Sequence, residues 1–173
     1  NTLSEAVVFG KRVGEAAAAY AKSAVKKSFP AAKLAEEEKT LAALASGASS
    51  QDSLSAVHAE LGRLMNEKVG LIRDDGGLRQ ALDGIAQLKE RYQKINVRNT
   101  GRIYNYELTT HLEVGAMLIL AEVVTRSAQA RTESRGAHYR SDFPNPDDAN
   151  WKSHSVATFS QGSTQVEKKP VAN

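Results

Sequence analysis

The chain has 173 residues, 41% apolar and 25% charged, with 23 Lys and Arg against 20 Asp and Glu. That composition is globular, long enough to bury a core, and argues against wholesale disorder. The absence of Cys excludes a disulfide scaffold, Cys-ligated metal centres and a thiol nucleophile within this chain, and a net charge of +3 allows nucleic-acid binding without pointing to it.

Aromatics are only 6% and Ala is frequent, which favours helices packed through small side chains. The first begins at Asn1 to Ser4, whose side chains can cap free N–H groups. Leu3, Val7, Val13, Ala17 and Ala24 recur at helical spacing up to a stop at Phe29-Pro30. This start is not a signal peptide, because a basic stretch followed by an apolar one is lacking. There is no initiator Met, and the expectation is a processed chain or a segment of a longer one. Gly10 and Gly14 match no phosphate loop; they permit close packing of a neighbouring backbone or of a ligand.

Glu36-Glu37-Glu38-Lys39 leads through Leu41 and Leu44 into the Gly/Ser-rich Ser46 to Ser50, read as a short helix and a linker. A third helix is capped near Asp52, carries Leu54, Val57, Leu61, Leu64 and Met65 on one face, and ends at Gly70. Asp74-Asp75-Gly76-Gly77 opens a fourth, with Leu78, Leu82, Ile85, Leu88, Tyr92 and Ile95 as its stripe. The fifth, roughly Asn105 to Ser134, is apolar on nearly all sides between Leu108 and Val124, which predicts a buried central helix. Its run from Val114 to Val124 falls short of the roughly 20 residues of a membrane span, so the chain reads as soluble. The expected fold is mainly α, an antiparallel helical bundle around that buried central helix, followed by a short β-hairpin. The hairpin strands are Ser155 to Ser160 and Thr164 to Lys169, joined by Gln161-Gly162-Ser163.

His58 and His111 lack a partner at metal-ligand spacing and read as surface or internally satisfied side chains. Ser134, His138 and Asp142 have the residue types of a catalytic triad, but adjacency in sequence is no evidence for one. The densest polar stretch is Arg131 to Pro144. Arg131 and Arg135 lie one turn apart at the expected end of the long helix, with Gly136 as its left-handed cap. Arg135, Arg140, Asp142, Asp147 and Asp148 can form a charge-assisted network that locks the next loop onto the bundle; a solvated helix end is the plainer reading.

Several segments taken in order resemble the flavoprotein subunit family of succinate dehydrogenase and fumarate reductase. Asn1-Thr2-Leu3-Ser4-Glu5-Ala6-Val7-Val8-Phe9-Gly10 is similar to the family's N-S-L-x-E/D-x-x-V-F-G helix. Glu133-Ser134-Arg135-Gly136-Ala137-His138, with Arg140, Asp142 and Pro144, resembles its E-S-R-G-A-H-x-R-x-D-x-P run. Asp147-Asp148-Ala149-Asn150-Trp151 with His154 resembles D-D-x-N-W-x-x-H. Gly70 to Arg73, Tyr104 to Leu108 and Val166 to Val171 are similar to its G-I-x-R, Y-N-x-E-L and L-E-Y-K-P-V segments.

The resemblance implies the C-terminal part of an FAD-dependent oxidoreductase that interconverts succinate and fumarate. Residues 1–29 would end the FAD-binding domain, 30–50 form a short helix and linker, 51–140 the helical bundle, and 141–173 the loop and hairpin. It implies flavin contacts at Thr2 and Leu3, more weakly at Asn1, and no catalytic or metal-binding residue in this chain. Arg131, Glu133, Ser134, Arg135, His138, Arg140 and Asp142 would be a structural network. The isolated chain is expected to be inactive and not to hold FAD. The implied partners are the upstream FAD-binding and capping domains and an iron–sulfur subunit, in the cytoplasm, with membrane association only through partner subunits and no nucleic acid. An L-aspartate oxidase fragment and a free-standing helical interaction module are the alternatives.

Overall fold

A computed structural model describes residues 2–46, 52–101, 103–160 and 163–171. Two compact units divide the chain, Asn1–Lys39 and Thr40–Asn173. In the first, α1 (Thr2–Ser23) has no buried residue. It stops before the expected Phe29-Pro30: the Ser23 hydroxyl turns back to the Tyr20 carbonyl at 3.1 Å, and Val25 is exposed. A hydroxyl bonded to local backbone favours a terminus, and without packing nothing carries the helix further. Pro30 then accepts at its carbonyl from Lys33 and Leu34 as α2 (Ala31–Ser46) begins. The expected linker falls mostly on residues 47–51, outside the described residues.

The second unit is built on α3 (Leu54–Lys68), α4 (Asp75–Tyr92) and α5 (Tyr106–Ala130). Each start is capped by a side-chain oxygen: Ser53 accepts from Ala56, Asp74 from Gly77 and Asn105 from Leu108. The Ser53 cap stands one residue beyond the expected Asp52, which instead receives Arg91. Val57, Leu61, Ile85, Leu88, Ile95, Val114, Leu118 and Ala121 form one apolar core, and Val69, Leu78, Ala81 and Ala128 a second. Met65 packs on both clusters. The second cluster joins the end of α3, the start of α4 and the end of α5, so α4 runs antiparallel to the other two.

Two expectations for the long helix change. α5 is central to the bundle, yet burial holds for one face only: His111, Val114, Leu118, Ala121, Thr125 and Ala128. Leu112, Ile119, Leu120 and Val124 form an exposed apolar row. At 25 residues α5 also has the length and composition of a membrane-crossing helix, which the Val114 to Val124 run alone did not. One of its faces packs against α3 and α4. The helix ends at Ala130, where Arg131 donates its N–H to Ser127 as the cap. Gly136, at φ +57°, serves a different turn. It lies in the tight reversal in which Arg135 and His138 exchange backbone hydrogen bonds at 2.8 and 3.0 Å.

Two short elements follow from no sequence period. β1 (Ile72–Arg73) pairs in parallel with β2 (Tyr139–Arg140), and α6 (Asp148–Trp151) is capped by Asp147. The hairpin consists of β3 (Ser153–Ser160) and β4 (Ser163–Pro170), paired from Ser153 with Pro170 to Ser160 with Ser163. Gln161 and Gly162 of the expected turn lie outside the described residues.

Candidate functional site

Where the bundle ends and the hairpin begins, the backbone has more acceptors than helices or strands can satisfy. The last carbonyls of a helix need external donors, and here arginines supply them. Arg140, 1% exposed, donates from Nη1 to the carbonyls of Ala128 and Gln129 at the end of α5, at 3.0 and 3.1 Å. Arg73 donates from Nε to Val69 and Gly70 at the end of α3, at 3.0 and 2.7 Å. Arg131 reaches the Trp151 and Ser153 carbonyls, tying α6 and β3 to the end of α5, with its guanidinium 4.9 Å from the Trp151 ring centre.

Carboxylates balance these cations. Asp142 accepts from Arg140 Nε and Nη2, both at 2.7 Å, and from the Asp75 N–H at 3.0 Å, which joins this loop to the start of α4. Glu133 is fully buried and accepts from Arg135 Nε and Nη2 at 2.9 Å, from the Asp147 N–H at 2.8 Å and from Arg131. Arg135 also reaches Asp148. The Arg135 hydrogen bonds, with those of the Asp147 amide and Arg131, hold Glu133 at about 2 although burial pushes it upward. The Arg140 pair, with the Asp75 amide, likewise holds Asp142 at about 2.

Ser134, His138 and Asp142 are near one another without forming a relay. Ser134 donates to the Phe143 carbonyl at 2.8 Å and accepts from the Arg140 N–H at 2.9 Å. His138 Nδ1 lies 2.8 Å from Arg73 Nη1, and Nε2 lies 3.3 Å from the Arg131 carbonyl. A guanidinium only donates and a carbonyl only accepts, so Nδ1 carries the lone pair and Nε2 the proton. Burial lowers the His138 pKa, and the charges of Arg73, Arg140 and Arg131 act in the same direction. Both His138 nitrogens are thus engaged, and neither Ser134 nor Asp142 bonds to the ring. The hydrogen bonds of the junction join the ends of α3 and α5 to α6, β3 and the loop between α5 and α6.

Thr2 and Leu3 lie in the exposed first turn of α1, and Asn1 lies outside the described residues. His58 is exposed; His111 is buried, bonded to the Tyr92 hydroxyl and the Ile95 carbonyl. Among the described residues no three His, Asp or Glu gather as a metal site. Reading the sequence missed Arg73 as a partner of His138, 65 residues away, and Arg91, which bridges Asp52 and Glu60 from α4 to α3. Neither has a periodic signal, because each acts through a contact that only tertiary packing creates.

Residues 58–173 match the family model described as fumarate reductase flavoprotein C-term. The fumarate reductase flavoprotein subunit of Haemophilus influenzae is 36% identical over 99% of this chain and 29% of its own length. Among solved structures, Escherichia coli quinol fumarate reductase FrdA superposes with a TM-score of 0.91 at 32% identity, over 99% of this chain and 30% of that one. Mycobacterium smegmatis Sdh1 gives 0.86 at 31% identity, over 98% and 29%. The chain thus spans about 30% of the length of these relatives.

Proposed function

The chain belongs to the fumarate reductase flavoprotein C-terminal family, and from that premise we propose that it serves as this domain in an FAD-dependent succinate dehydrogenase or fumarate reductase. In that subunit residues 1–29 close the FAD-binding domain, 30–50 connect, 51–140 form the bundle and 141–173 the loop and hairpin. The observation that carries the reading is α1, a 22-residue helix without one buried residue. Leu3, Val7, Gly10, Gly14 and Ala17 follow one another at helical spacing along it. A Cβ added at Gly10 or Gly14 would meet nothing within 4 Å beyond the helix's own backbone. A row that joins apolar and small side chains suits close contact with a larger domain.

The first-turn N–H groups of α1 have no helical acceptor, and the macrodipole places partial positive charge there. These features fit a flavin edge, where negative charge accumulates on reduction. Thr2 and Leu3 would hold that edge, with Asn1 beside them. When bound, FAD supplies the hydride chemistry at the C2–C3 unit of succinate or fumarate. No residue of this chain is given a chemical step; the arginine junction braces the domain, and the upstream domains and an iron–sulfur subunit are its partners.

The test is made in the intact subunit that carries this segment. It is expected to hold FAD and interconvert succinate and fumarate. Leu3→Asp would place a carboxylate at the helix N-terminus and lower the flavin midpoint potential, which redox titration reads separately from turnover. A flavin-free subunit, or a potential unmoved by Leu3→Asp, would count against the reading.

A further inference from the structure

Of the junction arginines Arg73, Arg131, Arg135 and Arg140, the last three meet carboxylates: Arg131 and Arg135 on Glu133, Arg135 also on Asp148, and Arg140 on Asp142. Arg73 is the exception. Among the described residues no carboxylate pairs with it, and its partners are the Val69 and Gly70 carbonyls and the ring of His138. An imidazole thus stands where a carboxylate would form a permanent ion pair. Unlike a carboxylate, it accepts from a guanidinium near neutrality only while Nδ1 is unprotonated. The segments this pair joins are distant in sequence. Arg73 lies in β1, at the corner between α3 and α4, and His138 lies in the reversal that leads into β2. The rest of the corner's attachment is slight. It consists of the two-residue β1–β2 pairing, the Ser141 N–H and hydroxyl on the Arg73 carbonyl at 2.8 and 3.1 Å, and the Asp75 N–H on Asp142.

Protons reach the ring without unfolding, because His138 is half-buried and lines a cleft of about 460 Å³ at the root of the hairpin. The groups that face it are Arg73 from β1, Arg131 at the end of α5, Arg140 from β2 and, lining the same cleft, Arg135, Lys152 and the titratable His154. The nearby carboxylates Glu133, Asp142 and Asp148 are turned to arginines. A proton on Nδ1 would set a donor against the Arg73 Nη1 donor at 2.8 Å and put two cations in contact with no carboxylate between them. We propose that Arg73 and His138 form an acid-released clasp. Protonation of Nδ1 parts the two side chains and opens the β1–β2 pair, freeing the α3–α4 corner from the turn after α5 while the bundle stays folded. The bundle is spared because neither side chain belongs to its apolar clusters, and the Glu133 and Asp142 ion pairs persist to far lower pH. Unit Thr40–Asn173 contains the whole clasp, which is therefore independent of the flavin reading.

The test is an NMR titration of the 173-residue chain from neutral to mildly acid pH, with the His138 ring assigned by its loss in His138→Gln. The neutral ring should carry its proton on Nε2. It should protonate below the ordinary 6.5, since burial and the charges of Arg73, Arg140 and Arg131 oppose the cation. The open form takes up the proton first. Protection of the Ser141 and Asp75 amides, corrected for intrinsic exchange, should therefore fall as pH drops below about 6.5 and level off once the closed form is protonated too. A ring transition displaced by about one pH unit corresponds to about tenfold in that protection. Amides in the core of α4 and α5 should remain protected throughout. His138→Gln can accept from Arg73 without titrating, and Arg73→Met removes the opposed cation, so each should flatten the pH dependence at Ser141. Arg73→Met should also move the ring transition upward, and either variant decides the matter if the other misfolds. Ser141 protection that holds while the ring titrates, an equal fall in His138→Gln, or core amides exchanging at the same protection as Ser141 overturns the clasp.

Discussion

Glu133 is a fully buried carboxylate that stays ionised because every donor around it points inward: two guanidiniums and the Asp147 amide. Removing one member of such a cluster leaves buried charge uncompensated, which costs more than the intact cluster contributes. Glu133→Gln should therefore lose about 3–5 kcal/mol in urea unfolding. Arg135→Ala should lose less, roughly 1–3 kcal/mol, because Arg131 and the amide still serve the carboxylate. The same residues set an acid limit. Glu133 and Asp142 are held at about 2, below the 4.5 and 3.8 of the free side chains. Their stabilisation is complete above those free values and is lost as pH falls through 2. His138, lowered from 6.5, has the same sign, since the unfolded chain takes up the proton first. Urea midpoints measured from pH 7 to 2 should begin to fall below about 6.5 and drop most steeply between about 4.5 and 2.

Helices α3 and α4 follow their periods closely, because each has one polar face and one face packed on a neighbour. Ala81, not Leu82, completes the buried row of α4, at helical spacing between Leu78 and Ile85 and in one cluster with Ala128 of α5. α5 departs from expectation for a related reason: composition reports how apolar a helix is, not how many neighbours it has. Gly115 shows how tight the packed side is, for a Cβ placed there would collide with the Tyr92 hydroxyl. The two faces of α5 should respond differently to substitution. Leu118→Ala, in the core, is expected to cost about 2–5 kcal/mol. Leu120→Lys, at a position 61% exposed, should change stability by less than about 0.5 kcal/mol in the same urea unfolding. Equal losses at both would mean that the outer row is buried.

At the scale of the whole molecule, unit Thr40–Asn173 is closed by contacts between distant segments: Arg73 with His138, Asp75 with Asp142, and Arg91 with Asp52. The expected outcome for the chain on its own is a folded protein that purifies without flavin. On the proposed reading the chain carries one edge of a flavin site, and one edge contributes too few contacts to offset the entropy of binding. A visible spectrum showing about one flavin per chain would contradict this.

What the sequence alone determined is what local chemistry specifies. Periodicity placed α3 and α4, Asp52, Asp74 and Asn105 marked their starts and that of α5 to within a residue, and two β-like runs about a Gly-containing turn marked the hairpin. The run from Glu133 to Pro144 also identified which residues cluster, because they lie close in the chain. Only the tertiary structure decided how they are used. Gly136 turns a loop instead of ending a helix, Arg140 caps α5 from beyond its end, and Arg73 sets the tautomer of His138. The physical reason is range. A cap or an amphipathic stripe is settled within a turn or two, whereas a guanidinium finds its carbonyls and carboxylates wherever packing brings them.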